Sequence, residues 1–318
     1  MQESASVRTE EAVDGPPPGK YSSPETFEVQ RPRNAREYRS CAYSLADGYR
    51  PLELDVFVPA GAGDDPVAAV VWIHGGGYLS GSRQHPPLEW PAGVLFQRII
   101  DAGIAVVSID YRHAREAPFP AQLHDAKAAV RYVRAHAWQL GIDPERIAVW
   151  GESAGGHLAA LLGLVTDDDE LEGGDGVIGV SSSVAAVIDF YGIADVETMP
   201  KPSEAVPPER LAVLSELGAE IPDPIQILLT GSTLIEKRGL GSASPTNYVR
   251  AEAPPFLLVH GTADLIVPSE QSERLASALQ EQGVSAELVL VPGGHVFIGG
   301  DPLPQIDRGI RFLETIGF

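Results

Sequence analysis

Along most of the chain, short apolar runs alternate with longer stretches whose apolar residues recur at helical spacing. The runs at residues 67–74, 104–110, 146–151, 183–190, 256–261 and 287–292 are dominated by valine, isoleucine, leucine and alanine. A strand buried on one face alternates in polarity, whereas one covered on both faces reads as an unbroken run, so these six predict the interior of a parallel sheet. Residues 37–44 and 52–58 flank the turn signal Asp47-Gly48 and predict an antiparallel pair at one edge. The helix-period stretches are 91–103, 120–141, 153–166, 269–283 and 304–317; the second opens at Pro120 and closes at Gly141, residue types that start and stop helices. Together they predict an α/β protein with a mostly parallel, eight-stranded sheet and helices on both faces.

Two segments depart from the alternation. Residues 1–36 are rich in Pro, Glu, Ser and Arg without a sustained period, and predict a flexible arm ahead of a single domain over 37–318. Residues 192–250 carry many helix breakers and two short helical stretches just before the penultimate strand. About 60 residues is too long for a plain connection, so this insertion is expected to form a lid or a pocket wall, with a plain surface insertion as the alternative.

Composition narrows the partners. The 23 Lys and Arg against 44 Asp and Glu give a formal charge of −21, which opposes nucleic acid or an anionic membrane surface. No stretch has the continuous apolar length of a membrane span, and the first residues lack the apolar core of a signal peptide, so a cytoplasmic location is expected. The lone Cys41 excludes an intrachain disulfide and is expected to be a small buried hydrophobe. The histidines form no H-x-x-x-H pair or Cys/His cluster, and the acidic residues 166–176 lack the full calcium-loop pattern. That acidic stretch reads as a solvated surface turn. Neither glycine cluster has the dinucleotide fingerprint, so no metal and no cofactor is expected. Oligomeric state is left open, a homodimer included.

The chemistry sits at strand ends. Gly151-Glu152-Ser153-Ala154-Gly155 lies between a strand run and a helical run, the context in which G-x-S-x-G marks a nucleophile elbow and not merely an N-cap serine. Ser153 is therefore the candidate nucleophile. Gly75-Gly76-Gly77 follow the 67–74 strand, and bare backbone N–H groups there suit a developing oxyanion. The N–H groups of Gly76, Gly77 and Ala154 are assigned to that hole, with His74 bracing the loop. Asp264 and His295 follow the last two strands, and the chain order Ser, Asp, His makes them the orienting acid and the base. Tyr78, Leu79 and Phe297, with Leu228 and Leu234 from the insertion, are expected to line the pocket by proximity to these motifs.

The set HGGGY (74–78), GESAGGHLA (151–159), HGTAD (260–264) and GGH (293–295) resembles the α/β-hydrolase superfamily, within the group that includes hormone-sensitive-lipase-like carboxylesterases. The likeness runs from about residue 40 to 316. The stretch from Tyr111 to Leu164 is similar to bacterial feruloyl and acetylxylan esterases. The resemblance implies an α/β-hydrolase fold and cleavage of a small-molecule ester of a small or medium acyl or aryl group, without a cofactor. It also implies a structural role for Asp125, while His113 stands where the family commonly has leucine. An arylformamidase or other amidase, an acyltransferase, a biosynthetic cyclase and a noncatalytic binding protein are the alternatives on the same fold.

Overall fold

The strands form where the apolar runs predict them. A computed structural model describes residues 31–45, 50–63, 65–166, 168–201, 223–231 and 240–318. Its eight strands are β1 (Ala35–Ser44), β2 (Leu52–Pro59), β3 (Val67–Ile73), β4 (Ala105–Ile109), β5 (Ile142–Glu152), β6 (Ala186–Phe190), β7 (Phe256–Gly261) and β8 (Ala286–Val291). They make one sheet in the order β1-β2-β4-β3-β5-β6-β7-β8. β1 and β2 pair antiparallel, β2 also meets β4 antiparallel, and every later pairing is parallel. This is the α/β-hydrolase sheet, with the hairpin at its edge.

The helices are α1 (Val94–Asp101), α2 (Ala121–Ala135), α3 (Ala137–Leu140), α4 (Ala154–Leu164), α5 (Asp169–Glu172), α6 (Pro224–Thr230), α7 (Glu270–Glu281) and α8 (Leu303–Thr315). Alternate strand residues feed opposite layers. Val71, Ile73 and Val149 pack with Leu123 of α2, Leu158 of α4 and Leu275 of α7. Trp72 and Trp150 pack on the other face with Leu95 of α1 and Ile306 of α8. A parallel sheet buried on both faces is thereby completed, which is why its strands read as unbroken apolar runs.

A third apolar cluster lies beside the C-terminal strand ends. It gathers Tyr78, Ala154, Ile193, Ile225, Leu228 and Val267, so α6 of the insertion packs next to the glycine loop and the serine turn. The acidic stretch is only in part a solvated turn, with Asp169 and Glu170 exposed. Glu172 pairs with the buried Lys127, and it and Asp175 accept from Arg131 and Arg112 respectively, because these buried cations of the α2 region require counter-charges. Asp125 is fully buried and held by the Arg112 guanidinium. Cys41 is half-buried, since it lies on the edge strand. Among the described residues, no helix is long and apolar enough to cross a membrane.

Candidate active site

The parallel strands bring their C-terminal ends to one edge, where open α/β sheets place their sites. β5 carries the chain into Ser153, which adopts φ 54° and ψ −120° before α4 begins. A non-glycine residue in this region stores about 1–3 kcal/mol and persists only when its surroundings dictate it. Here they do. The Ser153 N–H donates to the Phe190 carbonyl at 2.8 Å, and its own carbonyl accepts from the His157 N–H at 3.0 Å. Both flanking glycines are obligatory: a Cβ on Gly151 would overlap the Gly155 carbonyl, and one on Gly155 would overlap that of Ile73.

His295 follows β8 in a short 3-10 turn, and Asp264 follows β7. His295 Nε2 lies 2.9 Å from Ser153 Oγ, and its Nδ1 lies 2.7 Å from Asp264 Oδ2. Asp264 Oδ1 accepts from the backbone N–H groups of Ile266 and Val267 at 2.9 and 3.0 Å. His260 is wholly buried, with Nε2 at 2.8 Å from the Val267 carbonyl and 3.4 Å from Asp264 Oδ2. Burial alone would raise the Asp264 carboxyl, but hydrogen bonding from His260 and His295 outweighs it and holds this acid well below the usual range. An ionised Asp264 accepts from Nδ1–H, so Nε2 is left to accept the serine hydroxyl proton.

The glycine loop is braced from three sides. Gly75 N–H donates to the Glu152 carboxylate, while His74 Nδ1 lies 2.7 Å from the Gly75 carbonyl. Tyr111 stacks on His74 with ring centroids 4.4 Å apart and donates its hydroxyl to the His74 carbonyl at 3.1 Å. Burial lowers His74 to about 4, so near neutral pH it is an uncharged ring donating to Gly75. Gly76 and Gly77 both take positive φ, at 107° and 59°, and a side chain at Gly76 would collide with the Ser80 carbonyl. Ala154 is the first residue of α4, where an N–H has no acceptor within its own helix.

These groups border a cavity of about 670 Å³. Gly75, Gly76, Gly77, Glu152, Ser153 and His295 line its floor, and Ser82, His85, Leu88, Glu89, Ile266 and Val296 its walls. None of the four described pocket candidates lines it. Tyr78 and Leu228 are buried in the third apolar cluster, with the half-buried Leu79 packed against it. Phe297 is buried against Trp90 and Phe190, at 6.2 and 5.4 Å between ring centroids. Leu234 lies outside the described residues. The walls come instead from residues 80–89, a segment whose mixed polarity gave no periodic signal. Among the described residues, no group of three or more His, Cys, Asp and Glu could hold a metal ion.

Sheet order, serine turn and the hydrogen-bonded trio define an α/β-hydrolase. The chain belongs to the BD-FAE family, whose model matches residues 54–279. It is 32% identical over 254 residues to "Esterase LipC" of Mycobacterium tuberculosis, covering 78% of this chain and 54% of that protein. It is 31% identical over 229 residues to "Esterase LipQ" of the same organism, covering 71% and 49%. The chain thus spans about half the length of the curated relatives it matches. Among solved structures, a truncated carbohydrate esterase from gut microbiota superposes with TM-score 0.73 and 26% identity, over 91% of this chain and 98% of that one. Thermogutta terrifontis esterase 2, phosphorylated by paraoxon, superposes with TM-score 0.67 and 27% identity, over 91% and 96%.

Proposed function

We propose that the protein is a serine carboxylic-ester hydrolase that cleaves small to medium acyl or aryl esters through an acyl-enzyme. The observation that carries this reading is the continuous hydrogen-bonded path from Ser153 Oγ through His295 to Asp264 at the floor of an open cavity. Ser153 attacks the ester carbonyl as His295 takes its proton, and the tetrahedral oxygen is received by the N–H groups of Gly76, Gly77 and Ala154. His295 then protonates the departing alkoxide. In the second half it deprotonates water, which cleaves the acyl-enzyme and frees the acid. Asp264 holds the imidazole in the tautomer that both halves require.

Supporting this reading, LipC and LipQ are named esterases, and the Thermogutta esterase carries a phosphoryl adduct from paraoxon. We further assign the chain to the feruloyl and acetylxylan side of the hormone-sensitive-lipase-like group, a placement supported by the Tyr111–Leu164 stretch and by the carbohydrate-esterase neighbour. Residues 37–318 form the catalytic domain in this reading, with residues 192–250 as an insertion whose α6 packs beside the serine turn.

The test is turnover of short p-nitrophenyl esters, an acetylated sugar, methyl ferulate and N-formylkynurenine by the protein and by Ser153→Ala. Ester turnover that vanishes in the variant is expected. Preference for the formamide would replace the esterase reading with a formamidase, and activity surviving in Ser153→Ala would remove Ser153 from the mechanism.

A further inference from the structure

Glu152 is the last residue of β5, immediately before Ser153, and it is only 6% exposed although it borders the cavity. A buried carboxylate beside the nucleophile is costly unless something uses it. Its Oε1 accepts the N–H of Gly75, and its carboxylate occupies the space that a Gly75 side chain would need. The serine turn on β5 and the glycine loop on the neighbouring β3 are therefore tied by this one side chain.

We propose that Glu152 is a positioning residue for ester cleavage: it clamps the glycine loop through Gly75 and sets negative charge opposite His295 as that ring accepts the Ser153 proton. This rests on the serine-esterase reading above. The clamp acts next to the proposed oxyanion donors, since Gly76 N–H belongs to the same peptide plane as the Gly75 carbonyl. That carbonyl is held by His74, while Glu152 holds the N–H of the preceding peptide, so the two peptide planes that meet at Gly75 each have a partner.

The charge on Glu152 is set by its neighbours. Burial raises its carboxyl to about 7; Gly75 N–H, His295 and the Tyr191 hydroxyl oppose that rise, and Glu89 adds to it. Tyr111 at the end of β4 also feels this charge. His74, packed on Gly75, stays neutral, and among the described residues no Lys or Arg lines the cavity. Both forms of Glu152 accept from Gly75, whereas only the ionised form stabilises an imidazolium at His295. Glutamine keeps the first property and loses the second, and alanine loses both.

The test is kcat and KM for p-nitrophenyl acetate from pH 5 to 9 with wild type, Glu152→Gln, Glu152→Ala and Ser153→Ala, each checked for cooperative melting. For Glu152→Gln we expect KM within about twofold, kcat at pH 8 reduced roughly threefold to tenfold, and the acid limb of kcat/KM moved about half a pH unit lower. Glu152→Ala should lose a further factor of about 10 in kcat. Should Glu152→Ala fail to fold, the displaced limb in Glu152→Gln decides alone. An unmoved limb, with Glu152→Gln equal either to wild type or to Glu152→Ala, overturns the inference while wild-type turnover keeps the esterase reading. No wild-type turnover, or turnover unchanged in Ser153→Ala, overturns both.

Discussion

In the proposed mechanism, a single atom of Asp264 decides the chemistry. Its Oδ2 accepts from His295 Nδ1, and an amide at that position can present N–H instead, which turns the imidazole to the unproductive tautomer. Asp264→Asn should therefore lower kcat by about 10³ to 10⁴ with little change in KM; equal loss in both parameters would point to displacement of the loop. Ser153, Asp264 and His295 were legible because each follows an apolar strand in the order the fold requires. Tyr78 and Phe297 were misplaced for a physical reason. Both take positive φ, 62° and 63°, and this backbone turns their side chains inward, which adjacency to a motif does not reveal. Phe297 stacks on Trp90, whose Nε1–H donates to the Val296 carbonyl at 3.0 Å, so the pair anchors the His295 turn from below. Phe297→Ala should cost about 3–5 kcal/mol in urea unfolding and reduce kcat with it.

At the scale of elements, the cavity wall over residues 80–89 is anchored at Arg83, through its backbone to Ser108 and Asp110 and through its side chain. Arg83 donates to Ser40 at 2.9 Å and to Glu53 at 2.7 Å, and it pairs with Asp110 and with Asp55. The wall is thereby pinned to β1, β2 and the end of β4. Arg83→Met leaves Asp110 without its counter-charge, while Asp55 keeps Arg39 at 3.1 Å, and should destabilise the fold by about 3 kcal/mol. KM for esters should rise more than kcat falls, because residues 80–89 line the cavity but make none of the hydrogen bonds that link Ser153, His295 and Asp264. A stable variant with unchanged KM would refute this anchoring. The strands and most helices were legible from period alone, since burial on both sheet faces leaves an unbroken apolar record. The wall was not, because its order comes from partners 25 or more residues away in the chain. The same holds for the acidic 166–176 stretch, whose buried cations lie on α2.

Across the whole molecule, two sets of buried groups act in opposite directions on acidification. Burial lowers His74 and His157 to about 4, and it raises Glu152 and Asp189 to about 7. Between those limits the unfolded histidines bind protons that the folded ones refuse, so they remove stability as pH falls from about 6.5 toward 4. The two acids bind protons preferentially in the fold, so they remove stability as pH rises from about 4 toward 7. The contributions of these four groups oppose each other. Asp189→Asn should consequently lose more stability than wild type between pH 6.5 and 5 in urea titrations; an identical slope would show that Asp189 does not titrate there. The charge of −21 and a cavity holding Glu89 and Glu152 also bear on substrate choice. Esters bearing a carboxylate should show lower kcat/KM than neutral isosteres, with the gap narrowing as salt rises.

The insertion leaves the sheet after β6 and returns to β7, and these two strands are direct neighbours held by their own parallel pairing. Its ends are therefore fixed by the scaffold, so the pairing of β6 with β7 does not depend on the length of chain between them. The entropic penalty for a longer loop grows only logarithmically. Provided that Ile193, Ile225 and Leu228 keep their packing against Tyr78 and Ala154, the rest of the insertion can change while the strand ends stay registered, so new substrate preferences are accessible to this chain without first rebuilding its chemistry.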